Sequence, residues 1–87
     1  MTSSADELVK KAVEMREAGR IDEAIIAARR ATTIDSDNAN TWWQLGLAVA
    51  EKEGAAAAIA HFKKTVELSS GFAYGWHRLG EAYKKTG

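Results

Sequence analysis

Trp42-Trp43-Gln44-Leu45-Gly46, followed by Ala58-Ile59 and Phe62, decides the fold, because its landmarks return 34 residues later as Trp76, Leu79 and Gly80. The same step taken backwards sets Ala58 on Ala24, Ile59 on Ile25, Leu68 on Ile34 and Val49 on Met15, so a third copy abuts the central one without a gap. A unit of this length with helical apolar spacing is a hairpin of two helices that cannot cover its own apolar face and must stack on its neighbours. The expectation is an all-α chain of five helices, arranged as about two and a half repeats over residues 5–38, 39–72 and the partial 73–87.

The helices are delimited by their own punctuation. Ser4 and Glu7 have the Ser-x-x-Glu spacing of a capping box, so a first helix should begin near Ala5, carry Leu8, Ala12 and Met15 on one face and stop at Gly19. Asp22 and Glu23 open a second helix, their charge favourable at its N-terminus, with Ala24, Ile25, Ala28 and Ala31 available for packing. Asp35-Ser36-Asp37-Asn38 is a polar turn whose side chains cap the next helix, expected over residues 39–52. That third helix has two apolar stripes, Trp42, Leu45, Gly46 and Val49 on one and Trp43, Leu47 and Ala50 on the other. Two stripes mean neighbours on two sides, or one packed face and one exposed apolar face. Gly54 interrupts, and Ala55-Ala56-Ala57-Ala58 starts a fourth helix running through Phe62 and Val66 to Leu68. Ser69-Ser70-Gly71 closes it, and a fifth helix from about Ala73 carries Trp76, Leu79, Gly80 and Tyr83.

Composition narrows the function classes. Eighty-seven residues make one small domain, and twelve basic against twelve acidic side chains give no global field toward nucleic acid or an anionic membrane. Charge is uneven along the chain: residues 1–38 carry eight acids and six bases, while 73–87 carry three bases and Glu81 alone. Without cysteine there are no disulfides, thiol nucleophiles or thiolate metal sites, and the redox compartment stays open. Met1-Thr2-Ser3-Ser4 has no apolar core behind a basic start, and no apolar run reaches membrane-spanning length, so a soluble protein of the cytoplasm is favoured.

No catalytic constellation is visible, and neither enzymatic activity nor a cofactor is expected. His61 and His77 are each isolated, and a lone histidine is more often solvated or packed than a ligand. His77 and Glu81 stand at i, i+4, but two ligands make a poor metal site and a helix-surface pair is the better account. Gly71, Gly75 and Gly80 lack the strand-then-helix context of a phosphate loop. Arg29-Arg30 and Lys63-Lys64 are one repeat apart and form a basic stripe, read as a solvated outer face because net charge is zero and no aromatic residues interleave.

These residues resemble the tetratricopeptide repeat family. Residues 39–72 carry the family's Trp, Leu, Gly, Ala and Phe as Trp42, Leu45, Gly46, Ala58 and Phe62, while Val49, Thr65 and Ser70 depart from it. Residues 73–87 carry Trp76, Leu79, Gly80 and Tyr83. Residues 5–38 match more loosely: Ala24 and Ala31 fit, Leu8, Ala12 and Met15 are acceptable replacements, and Lys11, Ala28 and Ser36 stand where Leu, Phe and Pro are usual. Lys11 suits an outer face with no repeat before it. The last repeat stops after its first helix, so the chain is expected to be a fragment of a longer protein, with Trp76, Leu79 and Tyr83 favouring a homodimer at high concentration.

The resemblance implies a TPR-like α-solenoid whose concave groove, lined by first-helix side chains, binds a protein or peptide. Carried over, that groove is Asp6, Val9, Lys10, Val13, Arg16 and Glu17, then Asn40, Trp43, Gln44, Leu47, Ala50 and Glu51, then Tyr74, His77, Arg78, Glu81, Lys84 and Lys85. Val9, Val13, Trp43 and Leu47 make its apolar strip, with Trp43 either its anchor or a side chain packed against a neighbouring helix. Some family members hold the C-terminal carboxylate of chaperones through Lys, Asn and Arg; here Val9, Val13, Gln44, Tyr74 and Arg78 stand there, and with only Arg78 kept that ligand is not expected. The rival readings are a structural or self-associating segment of a longer solenoid and a regulatory appendage of an enzyme.

Overall fold

The computed structural model describes residues 4–86, which form five α-helices: α1 (Ser4–Glu17), α2 (Ile21–Ile34), α3 (Ala39–Glu53), α4 (Ala55–Leu68) and α5 (Ala73–Thr86). No strand occurs among the described residues. α1 begins at Ser4 itself, so this serine is already helical instead of preceding the helix, and the residues before it lie outside the described region. α3 runs one residue beyond the expected limit because Gly54, not Lys52 or Glu53, is where the backbone turns.

Each boundary has a local cause. Gly19 and Gly54 have φ of 80° and 96°, values where a Cβ would meet the backbone, so both stop a helix that side-chain-bearing residues would extend. They lie one residue out of the repeat register, which gives α1 and α2 a longer link than the single Gly54 between α3 and α4. At the other turn, Asn38 caps α3, its Oδ1 accepting from the Asn40 amide at 2.9 Å and its Nδ2 donating to Asp35 at 3.1 Å. The Thr41 hydroxyl donates to the Asn38 carbonyl at 2.7 Å.

The turn geometry itself repeats. Trp42 donates its indole N–H to the Ser36 carbonyl at 2.8 Å, and Trp76 donates to the Ser70 carbonyl at 2.8 Å. The helices before these turns close alike, with the Asp35 amide donating to Ala31 and the Ser69 amide to Thr65. Thus the tryptophans do more than fill space: each pins the start of one helix to the turn that precedes it.

Packing runs α1 on α2, α2 on α3, α3 on α4 and α4 on α5, with a smaller contact between α1 and α3. Among the described residues, nine of the 15 buried apolar ones are alanines, so the helix axes come close and the core leans on a few large groups, chiefly Phe62 and Leu45. Burying each is worth roughly 2 to 3 kcal/mol. α3 is covered on both stripes: Leu45, Gly46, Leu47, Ala48 and Val49 are buried, and Trp42, Trp43 and Ala50 are half-buried. A Cβ on Gly46 would stand 2.6 Å from Phe62 Cε1, which is why glycine occupies that place. Gly75 has the same job between α4 and α5, where a Cβ would come within 2.9 Å of Val66 Cγ1. Gly80 does not: nothing stands within 4 Å of where its Cβ would be. The Cα radius of gyration is 12.2 Å, close to the roughly 12 Å expected of a compact chain this long.

Candidate functional site

The implied groove residues lie on α1, α3 and α5, and the structure treats them unequally. Val9 and Val13 on α1 are half-buried, as are Trp43 and Gln44 on α3, while Leu47 is buried and belongs to the core. Asn40, Tyr74, His77, Arg78 and Glu81 are exposed, Tyr74 most of all at 74%.

Trp43 is the junction. Its ring packs on Phe62 with centroids 5.5 Å apart, on Phe72 at 5.3 Å and on Tyr74 at 6.4 Å, all tilted. The first contact ties it to the core and the other two join α3 to the start of α5, so one face of the indole is structural. Phe72 has no place in the sequence reading, because it lies in the turn before α5, where no helical period marks it. Its position 34 residues after Asn38, a helix-capping place, was the one available signal.

Polar groups on the same surface are incompletely paired. The Gln44 side-chain N–H donates to Asn40 Oδ1 at 3.4 Å, leaving Gln44 Oε1 buried without a partner. Arg16 reaches across from α1 to Glu51 on α3 through Nη1, 3.5 Å away, but its buried Nε has no partner. These are the two unpartnered buried side-chain atoms among the described residues, one acceptor and one donor. Such groups each forgo roughly 1 to 3 kcal/mol when they stay unpaired, and both atoms are enclosed by the protein itself. His77 and Glu81 sit 3.5 Å apart, an exposed i, i+4 pair. Among the described residues no cluster of three or more His, Cys, Asp or Glu side chains could hold a metal, and no helix is long and apolar enough to cross a membrane.

A shallow cavity of about 100 Å³ lies elsewhere, between α1 and α2, lined by Leu8, Lys11, Glu23, Ile26, Ala27 and Arg30. Arg29, Arg30 and Lys63 of the basic stripe are exposed and Lys64 is half-buried.

His61 is half-buried against Trp42, rings stacked with centroids 6.3 Å apart. Burial, and next the charge of Arg29, push its pKa below the ordinary value of 6.5, against a weaker opposite pull from Glu53. The folded state therefore resists a proton that the unfolded chain accepts. This contribution is whole above pH 6.5, is lost as pH falls from there toward the lower folded value, and levels off beneath it. Urea midpoints measured from about pH 7.5 down to about pH 5 should fall in the parent. They should fall less in His61→Gln; equal slopes in the two proteins would dismiss His61 as the cause.

The chain matches no model of a known protein family and no curated protein.

Proposed function

We propose that the chain is a tetratricopeptide-like α-solenoid of about two and a half repeats, without catalytic activity, that binds a peptide or partner segment along α1, α3 and α5. The observation that carries the binding reading is the aromatic pair of Tyr74, 74% exposed, and half-buried Trp43, with ring centroids 6.4 Å apart. The fold reading is supported by the equal indole-to-carbonyl bonds of Trp42 and Trp76, one repeat apart.

The exposed half of the surface favours a mixed ligand. Tyr74 offers an aromatic edge beside Trp43, and Arg78, Lys84 and Lys85 set three cations against Glu81, so the preferred segment pairs an apolar side chain with acidic neighbours. Affinity should be micromolar, about −8 kcal/mol, since a small surface must also order a flexible partner. The test is a display library of short random peptides selected on the folded chain, its winners titrated against variants. Tyr74→Ala and Arg78→Glu should each weaken binding about tenfold or more, and joint replacement of Lys63 and Lys64 by alanine should change little. Selected peptides that ignore Tyr74 and Arg78 but need Lys63 and Lys64 would move the working surface to the basic stripe.

A further inference from the structure

We infer that the segment bound at Trp43 and Tyr74 is a polyproline II stretch, a proline-containing peptide with acidic neighbours, held through the indole N–H of Trp43. This rests on the peptide reading above and names the conformation and chemistry of that ligand. The three indoles of the chain differ in what they donate to. Trp42 and Trp76 each give their N–H to a turn carbonyl at 2.8 Å. Trp43 has no such acceptor among the described residues, and its nitrogen is not one of the enclosed unpartnered atoms, which are Arg16 Nε and Gln44 Oε1. Its N–H is therefore open to solvent, although the ring itself packs on Phe62 and Phe72. Beside it stands the exposed ring of Tyr74, inclined to the indole by 31° with centroids 6.4 Å apart, so neither ring closes off the other edge to face.

Of the three conformations a bound peptide can take, one fits these groups. A strand gains by pairing with a sheet edge, and no strand occurs among the described residues. A helix keeps its carbonyls for its own amides and needs a row of apolar anchors, whereas here Leu47 is buried in the core and Val9 and Val13 are half-buried. A polyproline II chain has no internal hydrogen bonds, so its carbonyls are free for a donor such as the Trp43 N–H, and its prolines seat on aromatic rings. It is also ordered before it binds, which counts most where the contact is small. Charge sets the flanks. Arg78 stands about one helical turn beyond Tyr74, roughly 6 Å along α5, a rise that a polyproline II chain covers in about two residues. Lys84 and Lys85 extend the positive side in the last turn, and Glu81 between them is already 3.5 Å from His77. An acidic residue about two places from a proline therefore meets Arg78.

The experiment titrates the whole chain with a labelled, end-capped peptide of repeated Pro-Pro-Glu triplets, read by anisotropy and by the three indole N–H signals in nitrogen–proton correlation spectra. In the free protein one indole signal, the one missing from Trp43→Phe, should exchange with water faster than the other two. The peptide should bind in the micromolar range, and that signal should move downfield while those of Trp42 and Trp76 stay. Trp43→Phe, which keeps a ring and removes the N–H, should weaken binding about fivefold, and Tyr74→Ala about tenfold. Peptides of Ala-Ala-Glu or Pro-Pro-Lys triplets should bind about tenfold more weakly or not at all. Equal binding of the Ala-Ala-Glu peptide, undiminished binding by folded Trp43→Phe, or a fast-exchanging indole signal that does not move in the parent each overturns the inference; the last needs no variant to fold. Binding by peptides selected from a random library but not by Pro-Pro-Glu triplets overturns it too and leaves the peptide reading standing, whereas a chain that binds no peptide at all removes both.

Discussion

Gly46→Leu should remove about 3 kcal/mol or more of stability, a large share of the roughly 4 to 13 kcal/mol that an 87-residue domain possesses. The first added carbon alone would stand 2.6 Å from Phe62 Cε1, 2.9 Å from Cδ1 and 3.3 Å from His61 Cβ. Phe62 is fully enclosed and has nowhere to swing, so α3 and α4 must separate, and the stacking of Trp42 on His61 goes with them. The first repeat displays the compensated form of this contact: Ala12 stands where Gly46 does and Ala28 where Phe62 does, and both are buried. Gly46→Ala and Phe62→Ala should therefore couple. The double variant should be less destabilised than the sum of the singles by about 1 kcal/mol or more. Urea denaturation followed by far-ultraviolet circular dichroism measures all of these. Additive singles would mean that the two groups do not meet.

Trp43→Ala should destabilise by about 3 kcal/mol, the low end for a tryptophan because the ring is half-buried. Three aromatic partners at 5.3 to 6.4 Å lose their common neighbour, and the half-buried Phe72 among them ties the turn before α5 to α3. Tyr74→Ala is the control, because that side chain is 74% exposed and its loss should shift stability by no more than about 0.5 kcal/mol. Equal urea midpoints for the two variants would leave Trp43 as a surface group and remove the structural half of its role. The consequence for binding assays is practical: loss of a ligand in Trp43→Ala is informative only where the variant is folded, and Trp43→Phe is the safer comparison.

Much of the architecture was legible because the boundaries are written in single residues. Gly19, Gly54 and Asn38 each stop or start a helix by a local mechanism that needs no knowledge of the rest. The alternatives for the two-striped third helix could not be settled that way, since the count of neighbours is a property of the whole fold. The structure covers both stripes, which takes Leu47 into the core and leaves Trp43 half-buried against it. The paired glycines show the same limit. Gly46 and Gly80 are one letter at one repeat position, yet the first is filled by Phe62 and the second is open. Gly75 read as nothing beyond a poor phosphate-loop candidate, and its seat against Val66 emerges only when α4 and α5 are together. The orphaned Gln44 and Arg16 atoms were equally invisible, because pairing depends on what each side chain reaches.

The one-residue link at Gly54 has a kinetic meaning. The other helices are joined by Ala18 to Arg20, Asp35 to Asn38 and Ser69 to Phe72, so the α3–α4 hairpin closes the shortest loop in the chain. Loop-closure entropy is least there, and that hairpin also brings together Leu45 and Phe62, the largest enclosed apolar groups. Every major contact in the molecule joins helices that follow one another directly, which is the low-contact-order arrangement of chains that reach the native state in microseconds to milliseconds. The middle of the sequence is thus the natural nucleus, onto which α2 and α5 condense from either side.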